Sequence, residues 1–128
     1  MKTNGEVFLE KWMDGINRKD VNAILNLYHA DAILIPTFSN LLLDNQEKRR
    51  NYFEKLAERK GLEISIHRKT IREQKTGMDA SIISGIYTWK YQVEEELLTF
   101  EARFSFVIEQ GGERPIIHHH SSQIPRTM

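Results

Sequence analysis

The chain has 128 residues, in which 18 Lys and Arg balance 18 Asp and Glu, with no cysteine and an isoelectric point near 7.0. That length suits a single domain, residues 1–128, with one core, and 40% hydrophobic residues is a globular composition rather than a disordered one. Zero net charge removes the electrostatic footprint of a nucleic-acid or anionic-membrane binder, and the absence of cysteine excludes a disulfide framework, thiolate metal sites and cysteine nucleophiles.

The opening Met1-Lys2-Thr3-Asn4-Gly5-Glu6 lacks an apolar signal segment, and no run approaches the roughly 18 apolar residues of a membrane span. The expectation is therefore a soluble, cytoplasmic protein with no nucleic-acid or membrane partner. A chain without net charge also repels its own copies weakly.

Thr3 or Asn4 caps a first helix in which Phe8, Leu9, Trp12, Met13 and Ile16 form one apolar stripe, ending near Arg18. Asp20 caps a second, short helix carrying Val21, Ile24, Leu25 and Tyr28. Ala32-Ile33-Leu34-Ile35-Pro36 reads as a buried strand stopped by proline, and Asn40 to Leu43 as a second small one. Asp44 followed by Glu47 resembles a capping box opening a third helix, which carries Tyr52, Phe53 and Leu56 inward and stops at Arg59-Lys60-Gly61.

From Leu62 the period becomes two. Leu62, Ile64 and Ile66 alternate with polar residues, Gly77-Met78-Asp79 turns the chain, and Ala80 to Gln92 is rich in Ile, Tyr, Thr and Trp. After Glu94-Glu95-Glu96, a strand from Leu97 to Glu109 sets Leu98, Phe100, Ala102, Phe104, Phe106 and Ile108 on one face, with Glu101, Arg103, Ser105 and Val107 on the other. Gly111-Gly112 reverses it into a last strand from Arg114 to about Ser122. Three helices followed by a four-stranded antiparallel meander make an α+β fold.

Two groups carry candidate chemistry. In His118-His119-His120 the outer two imidazoles share a strand face and His119 takes the other; no third ligand is spaced to join them, so no metal and no cofactor is expected. Glu101 and Arg103 are either a solvated ion pair on a wet face or, if helices cover that face, the wall of a cavity in which Arg103 receives an anion. The cavity reading is preferred, because a buried arginine needs a partner.

Trp12, Tyr28-His29-Ala30-Asp31-Ala32, Tyr52-Phe53, Ser84-Gly85-Ile86-Tyr87, Glu101-Ala102-Arg103-Phe104-Ser105-Phe106 and His118-His119-His120-Ser121-Ser122 with Pro125 together resemble the nuclear transport factor 2-like superfamily. Within it the similarity is closest to bacterial SnoaL-like proteins, related to the association (hub) domain of calcium/calmodulin-dependent protein kinase II. The resemblance implies a cone-shaped, cystatin-like fold with three helices packed on a curved, mostly antiparallel sheet, an interior pocket, and a homodimer or higher homo-oligomer formed through the sheet.

It also implies that Arg103 points into the pocket as anchor for a small organic ligand such as a carboxylate, with Tyr87 and His119 joining it if the strands are in phase. Glu101 shares the strand face of Arg103, and Arg49, in the run Lys48-Arg49-Arg50 at the start of the third helix, places a guanidinium at the pocket rim unless the run is simply a solvated face. His118, His120, Phe104 and Phe106 then fall on the other side, at the subunit contact. Kinase hubs carry an arginine after H-x-H where this chain has Ser121, which makes any anion site less positive, and no kinase domain or calmodulin-binding segment fits in the chain. Isomerase and cyclase relatives need a carboxylate base and a tyrosine donor, for which the candidates are Asp31 and Tyr28, with Tyr87 as a second donor. The leading expectation is a self-associating small-ligand-binding domain; an isomerase/cyclase-type enzyme and a pure oligomerisation module, which predicts a filled pocket, are the alternatives.

Overall fold

The computed structural model describes residues 3–77 and 79–125. Helix α1 spans Asn4–Asn17; the Thr3 hydroxyl caps it by accepting from the Glu6 amide at 3.2 Å, and Phe8, Leu9, Trp12 and Ile16 are buried. Helix α2, Val21–Leu25, is capped by Asp20, which accepts from the Ala23 amide at 3.1 Å. It stops earlier than its apolar spacing predicts, because Tyr28 opens strand β1, Tyr28–Ile35, instead of closing the helix. Helix α3 spans Gln46–Ala57. Its cap is Asn45 rather than Asp44: the extended backbone of Asn45 lets its side chain accept from the Lys48 amide at 2.9 Å, while Asp44 pairs with Lys48 Nζ at 3.1 Å. Gly61 follows in the left-handed region, φ 69°, where glycine carries no Cβ penalty.

The strands are β2 (Glu63–Ile66), β3 (Arg72–Lys75), β4 (Ala80–Val93), β5 (Glu96–Glu109) and β6 (Ile116–Gln123). They join β1 in one sheet of order β1-β6-β5-β4-β2, with β3 also on β4; β1 runs parallel to β6 and the other pairs are antiparallel. The fold is thus the expected α+β arrangement of three helices on a mostly antiparallel sheet, with two corrections. The first strand of the meander is split by a 3-10 turn, Arg68–Thr70, into β2 and β3, and the stretch 40–43 contributes only a bridge between Leu34 and Leu43. Glu94 (φ 58°) and Gly111 (φ 81°) make the tight reversals; the turn expected at 77–79 includes Met78, which lies outside the described residues. Among the described residues no helix is long and apolar enough to cross a membrane.

The inner face of the sheet is the one covered by α1. Phe8 and Trp12 meet Phe106 edge-on, with ring centroids at 5.0 and 5.3 Å, and Phe104 and Phe106 are 3% and 0% exposed. These two phenylalanines are therefore core of one chain, not the subunit contact that the resemblance implied. The alternate set points outward: Glu101, Arg103 and His120 are exposed, and Ile33, Ile35, Ile82, Ser84, Ile86, Ser105, Val107 and His118 are half-buried.

On the inner side of β4, Ser81 is fully buried and its hydroxyl has no hydrogen-bond partner among the described residues. A buried hydroxyl left unpaired is destabilising, so Ser81→Ala is expected to raise the unfolding free energy by about 1 kcal/mol. A thermal melt that moves downward instead would contradict this.

Candidate functional site

The inward residues of β1, β4 and β6 converge on Trp12. Register pairs Leu34 with His119 and Phe106 with His119, so the middle histidine of the triplet turns inward while His118 and His120 face out. Its ring stacks on Phe106 at 3.8 Å and meets Trp12 edge-on at 5.3 Å. Trp12 in turn stacks on Tyr87 at 5.6 Å, and Tyr87 on Phe104 at 4.5 Å.

A directional hydrogen-bond chain runs through this cluster. The Trp12 indole, a donor only, gives its proton to the Tyr28 hydroxyl oxygen at 3.2 Å. Tyr28 then donates to His119 Nδ1 at 2.8 Å, and His119 Nε2 donates to the Tyr87 oxygen at 3.3 Å. This tautomer, assigned from the network, gives each of these donors an acceptor. Tyr87 reaches the hydroxyls of Ser121 and Thr37, which bond to each other. Burial pushes the His119 imidazole well below its ordinary pKa, with His118 and His120 adding in the same direction, and burial raises the hydroxyl pKa of Tyr28 and Tyr87. Neutral, closed and mutually satisfied, the cluster holds the two layers in register.

It leaves almost no room. The void among Trp12, Tyr52, Tyr87, Trp89, His119 and Ser121 measures about 10 Å³, roughly the space of one water and far below that of an organic ligand. Tyr87 and His119 face the interior, on the side of the sheet opposite Arg103, and they fill it.

The remaining candidates are dispersed. Arg103 lies on the outer face, exposed, paired across the sheet with Ile86 and Ser122; the interior anchor expected of it is overturned, because the apolar set Ala102, Phe104 and Phe106 takes the covered side of β5. Glu101 is exposed on the same outer face. Arg49 is not at a pocket rim but sealed, 0% exposed, with its guanidinium on the carbonyls of His29, Ala30 and Ala32. Asp31 is exposed on β1 while Tyr28 is buried, so the acid/base pair of the isomerase reading is not assembled. Among the described residues no three His, Asp or Glu side chains converge as a metal site would need.

Sequence reasoning missed a set on α3 and the turn that follows it. Lys48, Tyr52, Lys55 and Arg59 recur every three or four residues and line a groove with Phe38 and Tyr91. The helical spacing was there to be read; the partner ring, Tyr91, comes from a distant strand.

The sequence profile of the calcium/calmodulin dependent protein kinase II association domain family matches residues 4–125. This chain belongs to that family. Among solved structures, the association domain is similar to a calcium/calmodulin dependent protein kinase II association domain from Xanthomonas campestris, at 25% identity over 96% of this chain and 87% of that one, TM-score 0.85. A hub homology domain from Chlamydomonas reinhardtii matches at 14% identity, covering 98% and 100% of the two chains, TM-score 0.74. A ketosteroid isomerase-like protein from Erwinia carotovora atroseptica matches at 13% identity over 94% of both chains, TM-score 0.77, which shows a shared fold. No curated protein matches the sequence.

Proposed function

We propose that this association domain is a self-assembly module whose copies pack outer sheet face against outer sheet face. The observation that carries the reading is the division of labour between the two faces. The inner face is closed over a void of about 10 Å³, whereas the outer face sets Ile33, Ile35, Ile82, Ile86 and Val107 among Arg103, Glu101, His118 and His120. Apolar and polar side chains interleave on this face, with Ile33, His118, Val107 and Ile82 in one row across the sheet. A mixed face of this kind has the composition of a protein contact, and the same patch on two copies is self-complementary about a two-fold axis. Zero net charge leaves little long-range repulsion to oppose it. Relatives described as association and hub domains support the same reading.

Val107 sits near the middle of the face, between Ile82 on β4 and His118 on β6. Sedimentation at micromolar concentration is expected to show at least a dimer of the 15.0 kDa chain, and Val107→Asp, which buries a carboxylate at the contact, to give a monomer with an unchanged far-ultraviolet dichroism spectrum. A wild-type monomer, or a Val107→Asp variant that assembles normally, would sink the proposal.

A further inference from the structure

Among the described residues, one open concavity stands out because its charged lining is entirely positive. It measures about 370 Å³, within the size range of small-molecule sites, and lies between α3, the loop after β1 and the end of β4. Its floor is Leu43, Leu56 and Tyr91, all buried, and Phe38 and Tyr52 form its walls. Phe38 is held edge-on to Tyr91 at 5.3 Å, so the aromatic wall is braced. Leu41, 64% exposed, stands at its edge.

The rim carries Lys48, Lys55 and Arg59 and no carboxylate. At about 100° per residue, positions 48, 52, 55 and 59 fall within one narrow stripe of α3 and its continuation, whereas Glu47, Glu54 and Glu58 cluster about a quarter-turn or more away. Basic residues in a last helical turn commonly complement the helix dipole, which explains their place along the axis but not their segregation around it. Lys48 has a partner in Asp44 at 3.1 Å; Lys55 and Arg59 have no ion pair among the described residues. The Arg59 guanidinium instead lies over the Tyr91 ring at 5.1 Å, a position that fixes its plane while leaving its N–H edge available.

Two other concavities of similar size, about 320 and 300 Å³, differ in this respect. One is lined by Glu6, Glu10 and Glu73 beside Arg68, the other by Glu109 and Glu113 beside Lys11, so each already contains acids that oppose an anion.

We propose that the α3 groove binds a small organic carboxylate with an aromatic or branched aliphatic body, the acid held between Lys55 and Arg59 and the body against Phe38, Tyr52 and Tyr91. The site is separate from the outer sheet face and does not rest on self-assembly. It also differs from the interior anchor first expected of Arg103.

The probe is 2-naphthoate, with neutral 2-naphthamide as its near-isosteric control, titrated calorimetrically and by NMR shift mapping at neutral pH and low salt. Naphthoate is expected to saturate one site with shifts at Phe38, Leu41 and Tyr91, and to bind roughly tenfold or more tighter than the amide. Lys55→Gln/Arg59→Gln, whose side chains are exposed, is expected to keep the wild-type dichroism spectrum and to lose roughly tenfold or more in naphthoate affinity. Equal binding of acid and amide, unchanged affinity in the double variant, shifts confined to outer-face residues such as His118, or no saturable binding at millimolar naphthoate would each overturn the proposal.

Discussion

Replacing Arg49 with alanine is expected to cost about 2–4 kcal/mol of unfolding free energy, a large share of the roughly 5–15 kcal/mol that a domain of this size possesses. The reason lies in β1. Its pairing with β6 slips between Tyr28 and Ile33, so the backbone of residues 29–32 does not complete a regular ladder. Arg49, projecting from the first turn of α3, supplies donors in its place: Nη1 to the Ala32 carbonyl at 2.7 Å, and Nη2 to those of His29 and Ala30 at 3.1 and 3.2 Å. Gln46 Oε1 accepts from Nε and Nη2 at 3.3 and 3.1 Å, which orients the fork. Every one of these partners is neutral, so the buried charge is stabilised by converging dipoles rather than by a counter-ion. Arg49→Lys keeps the charge but not the planar fork and is expected to recover only part of the loss. Urea denaturation of both variants measures this, and a cost under about 1 kcal/mol for the alanine variant would show that water replaces the guanidinium without penalty.

Acidification is the second large effect, and His119 supplies its sign. The folded chain holds this imidazole well below its ordinary value near 6.5 because protonation would place a charge in the aromatic core. The unfolded chain therefore takes up the proton first as pH falls. Stability from the neutral ring is complete above about 6.5 and declines below it towards the folded value, by up to about 1.4 kcal/mol per pH unit. His119→Phe keeps an aromatic ring against Phe106 and removes the titration. It is expected to be less stable near neutrality, because the Tyr28 and Tyr87 hydroxyls lose their bonds to the imidazole, but flatter between pH 6.5 and pH 5. Parallel melting-temperature profiles for wild type and variant across that interval would remove His119 as the cause.

Much of the fold could be read along the chain, because caps, turns and periodicity are local. Thr3 and Asp20 are side-chain caps close to helices whose apolar spacing is visible in a few turns. The change of period at Leu62, and the positive backbone angle at Gly111, mark the sheet equally locally. The candidate site was less legible. Alternation on β5 already separates Phe104 and Phe106 from Arg103, yet which set faces α1 depends on the stripe of a helix some ninety residues earlier. The apolar set wins the covered side because burying it releases far more water-exposed hydrocarbon, and Arg103 is thereby forced outward. Arg49 was hidden for a related reason: a basic run at a helix start ordinarily faces solvent, and only the slipped register of β1 creates the three carbonyls that draw one of its members inside.

By itself, then, the sequence determined the α+β order of three helices before a meander, the strand alternation that separates His119 from its two neighbours, and a chain of zero net charge built without cysteine chemistry. Tertiary structure alone decided that the interior is filled by Trp12, Tyr28, Tyr87 and His119, that Arg49 is inside and Arg103 outside, and that Arg59 meets Tyr91 across the α3 groove. The physical difference is range. Dihedral preferences and caps act within a few residues, whereas burial of a given side depends on which distant surface arrives to exclude water from it.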